Sequence, residues 1–332
     1  MYIGFILSEP RSANCSRLAE VVKISHDSSN RFLLREAYEP EDLFNEVKPH
    51  INLVGGTLSV DDSVLDKAYS QKMALVWHFW SGKHHRTVKG INLITLYYTD
   101  KTGRHYPVNY RVYDKEDGKS KNDYFLDMLA DVLAWGLKPA FVTGDSWYSG
   151  VKNLKAVKNN GLNSLFALKS NRCVSIEKGQ WTQVQKLDIP EQGLEVWLRG
   201  IGQVKVFRRQ LKDELRHYAV YLTDATQLSS FDKKAFEEQH DLHWKIEQYH
   251  RAIKQVCNIE RFQVRSKQPI LNHIFAAIMG YVHLQQLCFL DVIANCYRLQ
   301  RDLFQEAISA FIKKFIVDKE HLNPQFSKPV NA

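Results

Sequence analysis

The chain has 332 residues, 44% of them hydrophobic and 25% charged, the proportions of a globular protein able to bury a sizeable core. Its net charge is +8 with a pI near 9.1, and 15 Tyr, 17 Phe and 7 Trp accompany the Lys and Arg, a balance that favours a polyanionic partner. Five scattered cysteines (Cys15, Cys173, Cys257, Cys288, Cys296) without a CxxC pair exclude a zinc knuckle or a disulfide framework. They read as small buried hydrophobes in a reducing cytosol. No leader is expected at the N-terminus. The longest apolar stretch, Ile274 to Cys296, is interrupted by His283, Gln285, Gln286 and Asp291, so it reads as buried helix and not as a membrane span.

Residues 1–50 read as helical, with Leu18, Val21, Val22 and Ile24 in one apolar cluster and Ser29 capping a segment through Phe32 and Leu33. These helices are either a small DNA-binding unit or a packing pair, and the packing pair is the plainer reading. LVGGTLSVDD, from Leu53, is a strand ending in Asp61 and Asp62. His78, His84, His85 and Arg86 follow as a basic patch, suited to DNA, to a second protomer, or to nothing more than a polar loop. VKGINLITLYYTD (88–100) and HYPVNYRVYD (105–114) form a hairpin about the turn KTGR. Asn122 to Trp135 has helical spacing and stops at Gly136. AFVTGDSWY is a short buried strand ending in Asp145, followed by a helix near 150–159 and a strand SLFALK.

Three strands, then helix, strand, helix, strand, is the order of a ribonuclease H-like α/β core with a mixed sheet. Residues 51–170 hold its first part. Between 171 and 224 the helical period gives way to β-rich segments, an insertion whose last strand can rejoin the core. Residues 225–265 return to the core as a long helix, and 266–332 form a helical C-terminal region ending in a loose Pro-containing tail.

In WKIEQYHRAIKQ (244–255), Glu247, Arg251 and Lys254 share one helix face, extended upstream by His240 and His243. A solvated face with charge pairs explains such a stripe as well as a functional one does. Two strand-end aspartates and a helical glutamate in this order are more specific. Three converging carboxylates repel one another unless a cation joins them, and two hard divalent ions can activate an oxygen nucleophile while steadying the departing oxyanion. Asp62, Asp145 and Glu247 are therefore the expected catalytic and metal-binding set, with two Mg²⁺ ions for which Mn²⁺ can substitute.

The blocks VDDSVLDK, TGDSWYSG and WKIEQYHRAIK resemble those of bacterial insertion-sequence transposases of the DDE type, in the insertion-sequence-four (YREK) group. Glu247 and Lys254 have the group's Glu-to-Lys spacing, and the likeness covers about 53–265. The group's pattern of an acidic residue, the catalytic aspartate, then Ser or Thr points to Asp62 over the competing Asp61. Its Tyr and Arg positions fall on His240 and His243, which puts the phosphate clamp in doubt, with Arg251 or Arg261 as substitutes. Lys254, Arg251, His243 and His240 are the expected DNA contacts. The resemblance implies cut-and-paste transposition: strand hydrolysis, hairpin formation and strand transfer. It also implies a homodimer holding paired terminal inverted repeats and then target DNA, without membrane attachment and within the bacterial cytoplasm, nucleoid-associated when bound to DNA. The N-terminal and C-terminal helices are the expected end-recognition elements. For stacking on a flipped base it offers Trp181 or Trp197, each better read as core of the inserted β unit. Two other readings stay open, a ribonuclease H-like nuclease without strand transfer and an inactive remnant that only binds DNA.

Overall fold

Residues that are apolar on both faces of a strand must lie inside a sheet covered from both sides, and that requirement organises this chain. In the computed structural model residues 1–9, 14–82, 84–177, 179–211 and 214–322 are described, the side chains of 300, 303 and 315–322 excepted. Four short helices come first: α1 (Tyr2–Ser8), α2 (Cys15–Val22), α3 (His26–Arg35) and α4 (Pro40–Val47). Ser25, not Ser29, caps α3 by accepting from Ser28 N; Ser29 lies one turn in, on the buried side.

The sheet begins with β1 (Thr57–Asp66), β2 (Trp77–Ser81), β3 (Arg86–Thr99) and β4 (His105–Val112). All ten residues of β3 from Gly90 to Thr99 are buried. β3 pairs antiparallel with β1 along its whole length, from Thr57↔Thr99 to Asp66↔Gly90. Asp62 therefore does not end the first strand: pairing to β3 carries β1 four residues further, and both aspartates sit inside it. The basic patch at 78–86 is also more ordered than a polar loop, because β2 pairs with the start of β3.

After α5 (Lys121–Ala134), held by a Ser120–Asp123 capping box, β5 (Phe141–Gly144) joins β1 in parallel. α6 (Val151–Asn159) then leads to β6 (Asn163–Leu168), parallel to β5. The central order β4-β3-β1-β5-β6, with helical crossovers into its two parallel strands, is a ribonuclease H-like core. Residues 171–224 extend the same sheet through β7 (Cys173–Ser175), β8 (Thr182–Gln183), β9 (Leu194–Leu198), β10 (Gly202–Leu211) and β11 (Glu214–Tyr221). β11 pairs antiparallel with β6, so the added strands are continuous with the core.

Three long helices close the chain: α7 (Lys233–Gln255), α8 (Lys267–Phe289) and α9 (Arg298–Leu322). Asp232 caps α7 by accepting from Ala235 N, and Phe236 fastens the helix to the added strands by stacking on Phe207 at 4.7 Å. α8 is apolar nearly all round and is covered by protein, with Ile270, Ile274, Ala277, Ile278 and Val282 buried. Among the described residues no helix is long and apolar enough to cross a membrane.

α8 also anchors the N-terminal helices. Tyr2 OH meets His273 Nδ1 at 2.7 Å, and Asn272 Nδ2 donates to Leu33 O and Glu36 O. Asn258, between α7 and α8, donates to Ile6 O and Glu9 O. The loose tail expected at 323–332 lies outside the described residues.

Gly144, the last residue of β5, shows how tightly the sheet sets the position that follows it. A Cβ there would stand 2.5 Å from Phe166 and 2.9 Å from Val60. Gly144→Ala is expected to lower stability by about 1–3 kcal/mol through overpacking, read as the midpoint of urea unfolding. An unchanged midpoint would show that Phe166 yields freely.

Candidate active site

Parallel neighbours in register turn their side chains the same way. Val60 opposes Gly144, so the next residues, Asp61 and Asp145, come side by side where β5 ends. Asp145 is held in a tight turn, its Oδ1 accepting from Trp147 N (2.9 Å) and Tyr148 N (3.3 Å). α7 crosses β1 and brings Glu247 and His250 over the same spot. Ligand atoms of Asp61, Glu247 and His250 all lie within 4.8 Å of one another.

The electrostatics are those of crowded carboxylates short of a cation. Burial, then the charges of Asp145 and Asp62, holds the Asp61 carboxyl well above its ordinary range. Desolvation and the charge of Asp62 push Asp145 up to about 6, against the pull of its two N–H donors. Glu247 is raised by desolvation at the cleft wall and by Asp61. Oxygen donors strained in this way suit a hard divalent ion, whose charge would turn each repulsion into attraction.

Asp62 lines the same cleft and is held there by three donors. It accepts from Lys121 Nζ (2.7 Å), Tyr148 OH (3.0 Å) and Asn92 Nδ2 (2.6 Å). Like Asp145, it lies outside the close cluster of Asp61, Glu247 and His250. The alternation of side chains along β1 separates the two aspartates, and the sequence alone does not say which of them faces α7.

Around the carboxylates opens a cleft of about 1480 Å³, whose cationic walls come from Lys115, Lys121, Arg216, Arg251, Lys254 and Arg261. Lys254 donates to Val64 O (2.7 Å) and stands 3.6 Å from Glu260. Of the expected DNA contacts, Arg251 and Lys254 line this cleft, whereas His240 and His243 do not. His243 meets Thr143 Oγ1 at 3.1 Å, and Thr143 in turn meets Ser59 Oγ at 2.8 Å, a polar seam along which α7 packs on the sheet. Burial pushes His243 down to about 4, so it is neutral at physiological pH. His240 packs edge-on against Tyr218 and beside Arg209, and burial followed by that arginine's charge lowers its pKa too.

Residues 55–282, more than half of the chain, match the family model of the transposase DDE domain. The chain belongs to that family.

No curated protein sequence matches the transposase domain described here. Among solved structures it is similar to the Drosophila P element transposase strand transfer complex, with 11% identity over 55% of this chain and a TM-score of 0.28. The chain spans 47% of that chain, about half its length.

Two features of the transposase cleft were not read from sequence. Arg216 reaches it from β11, the last strand of the segment read as a β-rich insertion. Trp77, Phe79 and Trp80 on β2, with Trp147 just after Asp145, give it an aromatic wall. Trp80 is 66% exposed and Trp147 51%, and Lys121 and Lys169 lie over the Trp147 ring. The available signal was WHFWS, an alternating aromatic run that reads as a strand once its basic flank is set aside. Trp181 and Trp197 are not among the residues lining the cleft.

Proposed function

We propose that this chain is a cut-and-paste DNA transposase of the insertion-sequence-four (YREK) group. The observation that carries the reading is that Asp61 of β1, Asp145 just past β5 and Glu247 of α7 line one cationic, aromatic cleft, with Asp61 and Glu247 within ligand reach of each other. Those three would hold divalent cations, Mg²⁺ or Mn²⁺, which when bound supply Lewis-acid activation of the attacking oxygen and charge relief for the departing one.

The residues of the chain do the rest. Arg251 and Lys254, one face of α7, grip phosphates beside the scissile bond, while Arg216 and Lys121 bear on them from the other walls. His240 and His243, half-buried, hold α7 to the sheet and lie outside that grip. The tryptophans of β2 and Trp147 offer π-faces to unpaired bases. A water oxygen attacks the scissile phosphorus and the P–O3′ bond breaks, freeing a 3′-hydroxyl. That hydroxyl attacks a phosphate of the opposite strand to form a hairpin, and a second water reopens it. The regenerated 3′-hydroxyl then attacks target DNA, each transfer exchanging one phosphodiester for another.

Two protomers hold paired inverted repeats, with end recognition from the N-terminal and C-terminal helices. The exposed apolar stripe Ile308, Phe311 and Ile312 on α9 suits such an association.

The test is joining. Purified protein, DNA bearing the repeats that flank the gene, and Mg²⁺ should yield a labelled end covalently linked to a plasmid. Cleavage without joining would indicate a nuclease, and binding without cleavage an inactive remnant.

Substitution separates the neighbouring aspartates. Asp61→Asn should reduce cleavage about a thousandfold, as expected for a lost metal ligand. Asp62→Asn should cost about 10–100-fold, as for a supporting group, and leave Lys121 facing a neutral acceptor in place of a carboxylate. The reverse ranking would restore Asp62 as the ligand.

A further inference from the structure

We propose that His250 is a nitrogen ligand of the divalent-cation site, which therefore takes a transition-metal ion such as Mn²⁺ more tightly than an all-oxygen site would, relative to Mg²⁺. The inference rests on the metal-dependent reading above and goes beyond its three carboxylates.

The geometry is that of a ligand. His250 follows Glu247 by three residues on α7, so both side chains face β1. Its Nδ1 stands 3.5 Å from Asp61 Oδ2, longer than a good hydrogen bond. Two donors sharing one ion through bonds of about 2.1 Å stand roughly 3.0–3.5 Å apart. Its Nε2 has no hydrogen-bond partner although the side chain is only 6% exposed. Nδ1 is the nitrogen that faces Asp61, so the ion would be taken there, with the ring proton carried on Nε2.

The chain supplies its own contrast. His273 on α8 is equally buried and structural, and both of its nitrogens are used, Nδ1 by Tyr2 OH at 2.7 Å and Nε2 by Asn258 O at 3.1 Å. His217, also buried, leaves its Nδ1 unpaired as His250 leaves its Nε2, but among the described residues only His250 of these three lies within ligand reach of two carboxylates. Imidazole is a softer donor than carboxylate, which tilts a mixed site toward first-row transition ions.

The experiment uses the full chain and Mn²⁺ as the probe. Pulsed electron paramagnetic resonance of the Mn²⁺-loaded protein should show nitrogen coupling, and the coupling should change isotope pattern when the histidines carry ¹⁵N. His250→Gln should abolish the coupling and weaken Mn²⁺ binding at least about tenfold, with a smaller effect on Mg²⁺. His243→Gln should leave the coupling in place. Should His250→Gln fail to fold, the labelled native protein and His243→Gln still give the answer.

Mn²⁺ bound without nitrogen coupling, or coupling that survives His250→Gln, overturns the inference and leaves the transposase reading intact. No Mn²⁺ binding at millimolar concentration would overturn the inference and the metal-dependent reading together.

Discussion

Glu247→Gln is expected to cut divalent-cation-dependent DNA cleavage about a thousandfold or more while leaving the folded chain and its DNA binding in place. The size follows from what is removed: one carboxylate of a metal site that supplies several kcal/mol of charge stabilisation, at 1.36 kcal/mol per tenfold in rate. DNA binding survives because the cations along the cleft, Lys121, Arg216, Arg251 and Lys254, are untouched.

The stability of the same variant makes the expectation sharper. Glu247 sits beside Asp61, and after desolvation it is the charge of Asp61 that raises the Glu247 carboxyl pKa. Removing one negative charge relieves that repulsion, so the metal-free variant should be as stable as the parent or slightly more so. A structural glutamate would show the opposite. Thermal melts without metal, paired with cleavage assays, check both halves. Undiminished cleavage by Glu247→Gln, or a large fall in its metal-free stability, would remove the glutamate from the catalytic set.

The second expectation concerns pH. Asp145 is raised from its ordinary 3.8 to about 6, and Asp61 is raised as well. A carboxyl whose folded pKa lies above its unfolded value keeps its proton in the folded state after the unfolded chain has released it. Folded protein therefore binds more protons between about pH 4 and 6, and metal-free stability must fall as pH rises through that window. For Asp145 alone the loss is at most about 3 kcal/mol, at 1.36 kcal/mol per pKa unit.

A divalent cation reverses the trend. It binds the ionised carboxylates, so it should raise the melting temperature above pH 6 and do little at pH 4 to 5, where protons occupy the site. At a hundred times its dissociation constant the ion contributes about 2.7 kcal/mol. Asp145→Asn should flatten the metal-free pH profile and abolish the metal-induced shift. If melting temperature without metal rises from pH 4 to 6 and Mg²⁺ or Mn²⁺ has no effect at pH 7.5, the carboxylates are not a metal site.

Local patterns were sufficient for most of the core. The apolar run of β3, the Gly136 stop after α5, the short buried strand ahead of Asp145 and the helical stripe of α7 each express a preference that neighbouring residues set by themselves. The order of those elements then restricted the topology to a ribonuclease H-like sheet, because crossovers between parallel strands obey handedness and adjacency rules. What pointed to a site was the spacing of carboxylates at strand ends and on one helix face.

Other features depended on partners far away in the chain. WHFWS became a strand because the start of β3 was there to pair with it. Residues 214–221 rejoined the core through β6, as the sequence allowed, and that pairing is what brought Arg216 to the wall of the cleft. His240 and His243 share a helix face with Glu247, yet the added strands and the edge of β5 cover that face upstream and leave it open downstream. Helical periodicity fixes which side chains lie together, and only the packing partner decides which of them meet solvent.

The same limit applies to Asp61 and Asp62. Alternation along β1 determined from sequence that the two carboxylates oppose each other. Which of them comes within reach of Glu247 and His250 was decided by the register of β1 in the sheet and by the side from which α7 crosses, both set by contacts between residues far apart in the chain.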